Sequence, residues 1–456
     1  MGLFYLTVCK HLITDKYNMY ETKKKPPRIG VLHPELKDGS QLYTPEDALA
    51  EAVNLVSALE LDVALTGIAP LREIHPKHYL GRGKAEEWRT LCEAEKLDAV
   101  LINTELSPTQ HKSLEEVLGV KVMDRTGVIL EIFAVRAKTK AGRLQVELAQ
   151  INYQLSRLVR AWTHLERQRG GASKTGGPGE RQIELDRRML RERASTLKNK
   201  LENLTKQRQV QRKARVQTLP QVALVGYTNA GKSTLFTALT KVDAGSADML
   251  FATLDPLTRV FSLNDDLQIS LSDTVGFISG LPHELVAAFQ STLEEVAEAD
   301  IILHIHDISS PHFKAQWQDV DAVLAEIGAA EVPRIHIANK VDISELDSAH
   351  FPPNAISVSA VTGEGVVDLQ TALLNHLTAQ HITCTLALPF HAGAIHAYVH
   401  AHGQQVVEDI TDDGWCLTAG LPHTHWRKVV HMLQQKNIVV SEDLIQFLPN
   451  DKEEWE

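Results

Sequence analysis

Between residues 28 and 130 short apolar runs alternate with amphipathic stretches. Arg28-Ile29-Gly30-Val31-Leu32 reads as a strand, and Pro45 to Leu59 as a helix with Thr44 as N-cap and Pro45 at its first position. Asp62 to Gly67 reads as a second strand, Gly83 to Lys96 as a helix, and Ala99 to Ile102 as a third strand. Ser107 with Pro108 opens another helix, and Lys121-Val122-Met123 is a further strand. This alternation predicts a small α/β domain with a largely parallel sheet. Gly81-Arg82-Gly83-Lys84 lacks the full spacing of a phosphate loop and reads as a turn before a helix.

From Leu144 the period changes. Leu144, Leu148, Ile151, Leu155, Leu158, Trp162 and Leu165 alternate spacings of four and three, an a/d seam. A second seam follows at Leu190, Ala194, Leu197, Leu201 and Leu204. Glycines and Pro178 crowd the stretch between them, so the seams are expected to fold back as an antiparallel hairpin with a flexible tip at 167–181.

After Arg215 the chain turns apolar. Val222 to Val225 reads as a buried strand entering Gly226-Tyr227-Thr228-Asn229-Ala230-Gly231-Lys232-Ser233, the strand–loop–helix context of a phosphate-binding P-loop. Further strands are expected at Gln268 to Ser272, Ile301 to His306, Arg334 to Ala338 and Ala355 to Val358, each delivering polar residues to its carboxyl end. Beyond His381, strands at Thr383 to Leu388, Ala394 to His400 and Gly414 to Thr418, with a helix at Trp426 to Gln435, predict a small α+β appendage.

The 456 residues thus divide into an extension (1–27, with Met19 an alternative start), an α/β domain (28–135), a helical hairpin (136–215), a nucleotide domain (216–380) and the appendage (381–456). The fold class is α/β: an open, mostly parallel P-loop sheet preceded by a smaller α/β domain and the hairpin.

Charge sharpens the hairpin. It carries 21 lysines and arginines against 7 acidic residues, in a chain whose net charge is −11. A basic segment inside an acidic protein points to a polyanion there, or to a solvated helix face. Arg167, Arg169, Lys174 and Arg181 at the tip are the candidate RNA contacts. Four dispersed cysteines read as reduced thiols without metal, and most of the 21 histidines as surface or strand residues. No apolar run approaches the roughly 18 residues of a membrane span, so no stable membrane insertion is expected; a cytoplasmic monomer without a DNA partner is the accompanying expectation.

Candidate nucleotide-binding residues are Gly226, Tyr227, Thr228, Asn229, Ala230, Gly231, Lys232, Ser233 and Thr234 of the P-loop; Phe251, Ala252, Thr253, Leu254 and Asp255; and Asp273, Thr274, Val275 and Gly276. Asn339, Lys340, Val341 and Asp342, with Ser357, Val358, Ser359 and Ala360, form the expected base pocket. Asp342 can accept from both N1–H and the exocyclic amine of guanine, whereas adenine would leave it unpaired. Ser233, Thr253 and Asp273 (through water) are the candidate Mg²⁺ ligands, and Lys232, Thr253 and Gly276 carry the catalytic expectation. Phe277 stands where a Ras-like enzyme has the glutamine that orients water, so unassisted GTP hydrolysis is expected to be slow. Asn229 is either a K⁺ ligand or a structural residue.

Asp124-Arg125-Thr126-Gly127, Leu144 to Gln150, Gly177 to Glu180 with Glu184 to Arg188, Phe251 to Pro256 and Asp273 to Ile278 together resemble the HflX family of GTPases. The resemblance implies a GTPase that binds the large ribosomal subunit, its hairpin tip approaching the rRNA of the peptidyl-transferase centre, and that splits stalled or idle ribosomes under stress. It departs from the family's usual wording in the loop Gly170 to Gly177 and at Arg181. The other reading is an rRNA-binding assembly factor in which GTP gates placement and turnover is incidental.

Overall fold

The computed structural model describes residues 26–37, 43–168, 178–215, 219–241, 251, 257–264, 267–280, 290–344, 346, 350–379, 381–436, 438 and 444. The chain forms two compact units divided near Gly365.

In the larger unit β1 (Arg28–Leu36), α1 (Pro45–Ser57), β2 (Asp62–Leu71), α2 (Arg82–Glu95), β3 (Ala99–Ile102), α3 (Pro108–Leu118) and β4 (Lys121–Asp124) follow in order. The strands form a parallel sheet ordered β2-β1-β3-β4. The starts of α1 and α3 follow from side chains: the Thr44 hydroxyl accepts from Asp47 N, and Ser107 with Gln110 closes a capping box. Alternation sends Ile29, Val31 and Leu101 to one face beside α1, and Leu32, Val100 and Ile102 to the other beside Trp88 of α2 and Leu114 of α3.

α4 (Arg125–Arg136) has no counterpart among the sequence expectations. Val128, Ile129, Leu130, Ile132 and Phe133 are all buried, so no polar stripe marks a helical period. Asp124 ends β4 and caps α4, its Oδ1 accepting from Gly127 N at 2.9 Å.

α5 (Lys140–Gln168) and α6 (Pro178–Arg215) pack side by side, Arg193 pairing with Glu147 across them. Leu197 is buried and Leu190, Ala194, Leu201 and Leu204 are half-buried, so the second seam faces inward. α5 has two inward faces. Leu144, Leu148 and Leu155 are half-buried, whereas Val146 and Ala149 join the core of α1 and α4. The tip is shorter than expected: Arg167 and Arg181 lie on helical backbone, because Pro178 has no N–H to lose at the first helical position. Arg169 and Lys174 lie outside the described residues.

The second sheet is built from β5 (Gln221–Gly226), β6 (Leu257–Ser262), β7 (Gln268–Asp273), β8 (Ile301–Asp307), β9 (Arg334–Asn339) and β10 (Ile356–Val358). Its order is β10-β9-β8-β5-β7-β6, with parallel pairing from β10 through β7. Helices α7 (Lys232–Thr240), α8 (Gln290–Ala297) and α9 (Phe313–Glu326) connect it. β6 escaped the sequence reading because most of its residues are exposed. One apolar cluster runs from Ile29 and Val128 through Phe133 to Val225, Val275 and Phe277, so the first domain and the nucleotide domain share a core.

The smaller unit contains α10 (Val366–Ala379), β11 (His381–Pro389), α11 (Gly393–His402), β12 (Gln404–Thr411), β13 (Gly414–Pro422) and α12 (His423–Gln435). Its antiparallel sheet is ordered β11-β13-β12. The expected strand at Ala394 to His400 is helix instead. Ile395 and Val399, four apart, are its buried positions, a helical spacing that the intervening histidines mask. Among the described residues no helix is long and apolar enough to cross a membrane.

Candidate functional site

β5 hands the chain to a loop of tight backbone approach. A Cβ on Gly226 would sit 2.4 Å from the Ile305 carbonyl oxygen. Gly231 has φ +93°, and a Cβ there would meet Asn339 Nδ2 at 2.2 Å. No side chain fits at either point. Asn229 has φ +61°, a conformation asparagine tolerates, which gives its presence a backbone reason. Lys232 opens α7 and is buried; its Nζ donates to the carbonyls of Gly226 at 3.1 Å and Tyr227 at 2.7 Å. Burial lowers its pKa to about 8, against the opposing pull of Asp273.

The next residue, Ser233, donates from Oγ to Asp273 Oδ2 at 2.7 Å, at the carboxyl end of β7. Asp273 is fully buried. A hydroxyl and a carboxylate side by side are the hard oxygen donors Mg²⁺ takes, so these residues fit the ion. Beyond β7 the chain is tied to the P-loop: Thr228 N donates to Phe277 O at 2.6 Å and Phe277 N to Gly226 O at 3.2 Å. The Phe277 ring is buried in the shared core. Gly276 allows this approach, since a Cβ there would lie 3.0 Å from Lys232 Nζ. Thr274 Oγ1 donates to Leu224 O at 2.6 Å, and Val275 is buried.

On the other flank Asn339, ending β9, donates to Ala230 O at 2.7 Å and accepts from Ala360 N at 3.1 Å. It therefore joins the P-loop to the loop after β10. Lys340 pairs with Asp307 at 2.7 Å, Val341 N donates to Val358 O at 3.4 Å, and Asp342 is exposed. Ser359 is buried, accepting on Oγ from Thr362 N, with Ala360 beside it.

Four expected residues are placed differently. Phe251 turns into the core, edge-on to Phe133 at 4.7 Å, because a large apolar ring is better buried than wet. Val358 is likewise core, and Ser357 is exposed on the edge strand. The Tyr227 side chain points to the first domain, donating to Glu51 Oε1 at 2.5 Å and accepting from Ser279 N at 2.8 Å. Ala252, Thr253, Leu254 and Asp255 lie outside the described residues.

The sequence reading missed the residues around that tyrosine. Arg125 donates to Glu51 Oε2 at 2.6 Å, to Asn103 Oδ1 at 2.8 Å and to the Ser279 carbonyl at 2.9 Å. Burial, then the neighbouring Glu51 carboxylate, hold the Tyr227 phenol above its usual pKa. The first domain thus grips the segment just after Gly276. A bulky tyrosine inside a phosphate loop was the available signal, since its ring needs a partner surface.

A glycine cradle, a buried lysine and a bracing asparagine at the ends of parallel strands define a P-loop GTPase. Three family models match: "GTP-binding GTPase N-terminal" over residues 46–134, "GTP-binding GTPase Middle Region" over 136–215 and "50S ribosome-binding GTPase" over 221–340. GTPase HflX of Magnetococcus marinus is 45% identical over 398 residues, 85% of this chain and 91% of that protein. GTPase HflX of Escherichia coli is 41% identical over 389 residues, 84% and 91% of the two chains. The chain belongs to the HflX family, as the motifs from Asp124 to Ile278 led one to expect, and it hydrolyses GTP. Among solved structures, a GTP-binding protein from the archaeon Sulfolobus solfataricus in complex with GDP aligns at 22% identity and TM-score 0.42, covering 77% of this chain and 99% of that one.

Proposed function

We propose that the protein is a GTP-driven switch that binds the large ribosomal subunit and separates stalled or idle ribosomes under stress. The observation that carries this reading is the basic hairpin. The segment that forms α5 and α6 carries an excess of positive charge, and α5 is anchored by Val146 and Ala149 in the core that also holds the P-loop, a layout suited to an rRNA partner. The tip residues Arg167, Arg169, Lys174 and Arg181 would contact rRNA phosphates near the peptidyl-transferase centre. The "50S ribosome-binding GTPase" description of the matching model supports the same partner.

In the nucleotide cycle Lys232 exchanges its loop carbonyls for the β- and γ-phosphates. Ser233 and Asp273, with Thr253, would hold Mg²⁺, which neutralises developing phosphate charge when bound. Thr253 and the Gly276 N–H report whether the γ-phosphate is present. Asp342 selects guanine, with Asn339, Lys340 and Ala360 framing the base. The buried Phe277 cannot orient water, so rapid turnover requires the ribosome or a cation held by Asn229. Equal hydrolysis in Na⁺ and K⁺ buffers would remove the cation from the account.

Deleting Gly170 to Gly179 tests the probe directly. GTP binding should survive within threefold while ribosome splitting is lost. Splitting that persists would refute the role given to the tip.

A further inference from the structure

β8 and β9 run parallel with His304 opposite His336, and His306 two residues further on β8. Side chains two apart share a face, so the imidazoles of His304, His306 and His336 gather on one side of the central sheet. Ring centroids are 4.1 Å apart for His304 and His306, 5.5 Å for His304 and His336, and 5.3 Å for His306 and His336. One ring nitrogen from each lies within 4.8 Å of the other two. α9 packs on this face, its Trp317 ring 5.3 Å from both His306 and His336.

A buried strand face under a helix is ordinarily filled by valine, isoleucine or leucine. Three histidines in that place lose hydration and recover little. His306 Nε2 and His336 Nδ1 share one hydrogen bond at 3.0 Å. His304, fully buried, has no hydrogen-bond partner on either ring nitrogen among the described residues. Burial lowers the pKa of all three, that of His306 to about 3. A carboxylate stands at the edge: Asp321 Oδ1, one helical turn after Trp317, is 3.9 Å from His304 Nδ1. Arg334 Nη1 holds that carboxylate at 2.7 Å.

We propose that His304, His306 and His336 form a binding site for a transition-metal dication of the Zn²⁺ class. Three imidazole nitrogens with a water in the fourth position are a tetrahedral zinc donor set, and the Asp321 carboxylate, held by Arg334, stands beside His304 as an outer contact. A zinc ion about 2.0 Å from each nitrogen needs the nitrogens roughly 3.3 Å apart. His306 Nε2 and His336 Nδ1 are already that close, the ion replacing the proton they share once the donor ring takes its other tautomer. His304 offers a nitrogen within 4.8 Å of both rings. His336, half-exposed, marks the way in. The ion would clamp β8 to β9 just before Asp307 and Asn339, the residues that hold Lys340 and the P-loop. The metal site does not depend on the ribosomal reading.

A second group, His396, His400 and Glu408, lies in the smaller unit and could also take up metal, so the test removes it first. Full-length protein carrying His396→Ala and His400→Ala, stripped with chelator and saturated with GDP and Mg²⁺, is titrated with Zn²⁺ by calorimetry and with Co²⁺ by visible absorption. The expected result is one equivalent of Zn²⁺ and intense tetrahedral Co²⁺ bands. Adding His306→Leu and His336→Phe should abolish both while GDP affinity stays within threefold. Should that variant fail to fold, His336→Gln alone should weaken Zn²⁺ at least tenfold. Unchanged stoichiometry and affinity after these substitutions, or no Zn²⁺ uptake before them, overturns the proposal.

Discussion

Lys232 donates its hydrogen bonds to carbonyls of its own loop, and its pKa of about 8 is set by burial. A phosphate that draws the ammonium away restores a favourable partner for the charge and raises that value. Nucleotide binding at pH 8 should therefore take up about half a proton, and close to none at pH 6.5. Calorimetry in buffers of different ionisation enthalpy measures this. The same group shapes stability. Its folded value lies below the unfolded 10.5, so the unfolded chain holds the extra proton between about pH 8 and 10.5. Stability without nucleotide should rise across that window, and Lys232→Met should flatten the rise. At the base, Asp342→Asn replaces an acceptor by an amide that can donate. Affinity for GDP should fall at least a hundredfold while xanthosine diphosphate gains, as competition binding would record.

The element that links the two domains is the segment after β7. Arg125, at the start of α4, and Tyr227, in the P-loop, both bond Ser279, and both bond Glu51 of α1. Arg125→Ala leaves Glu51 without its cation and should cost about 3 kcal/mol of stability, read from urea midpoints. GDP affinity should change less than threefold, because Arg125 touches the candidate nucleotide-binding groups only indirectly, through Ser279 and through Glu51 to the Tyr227 hydroxyl. Loss of GDP binding in a folded variant would contradict that division. These contacts join residues far apart in sequence, so no local pattern announces them. The parallel-paired strands of both sheets were legible because buried runs bounded by turn residues leave few alternatives. α4 was not legible, being apolar on every side, nor was β6, being mostly exposed. α11 was misread because histidines flank the apolar pair Ile395 and Val399. In the site, Gly226, Lys232, Asp273 and Asn339 are candidates because their motifs stand together at the ends of the expected strands. Phe251 could not be placed, since only the packed fold shows that Phe133 takes its ring.

On the scale of the whole molecule, a catalytic loop and a basic arm share one core. Phe277, buried against the P-loop, supplies no group to position water, so the protein alone should hydrolyse GTP slowly. Contacts made by the hairpin could reach the loop through α4, whose Phe133 touches Phe251 and whose Arg125 holds Ser279. The measurement that bears most directly on this account is steady-state GTP turnover with and without purified large ribosomal subunits, at saturating GTP and Mg²⁺. Turnover should rise at least tenfold with large subunits, and the rise should be absent when Gly170 to Gly179 are deleted. A rate that the subunits leave unchanged would contradict it and favour a factor whose GTP turnover is incidental to RNA binding.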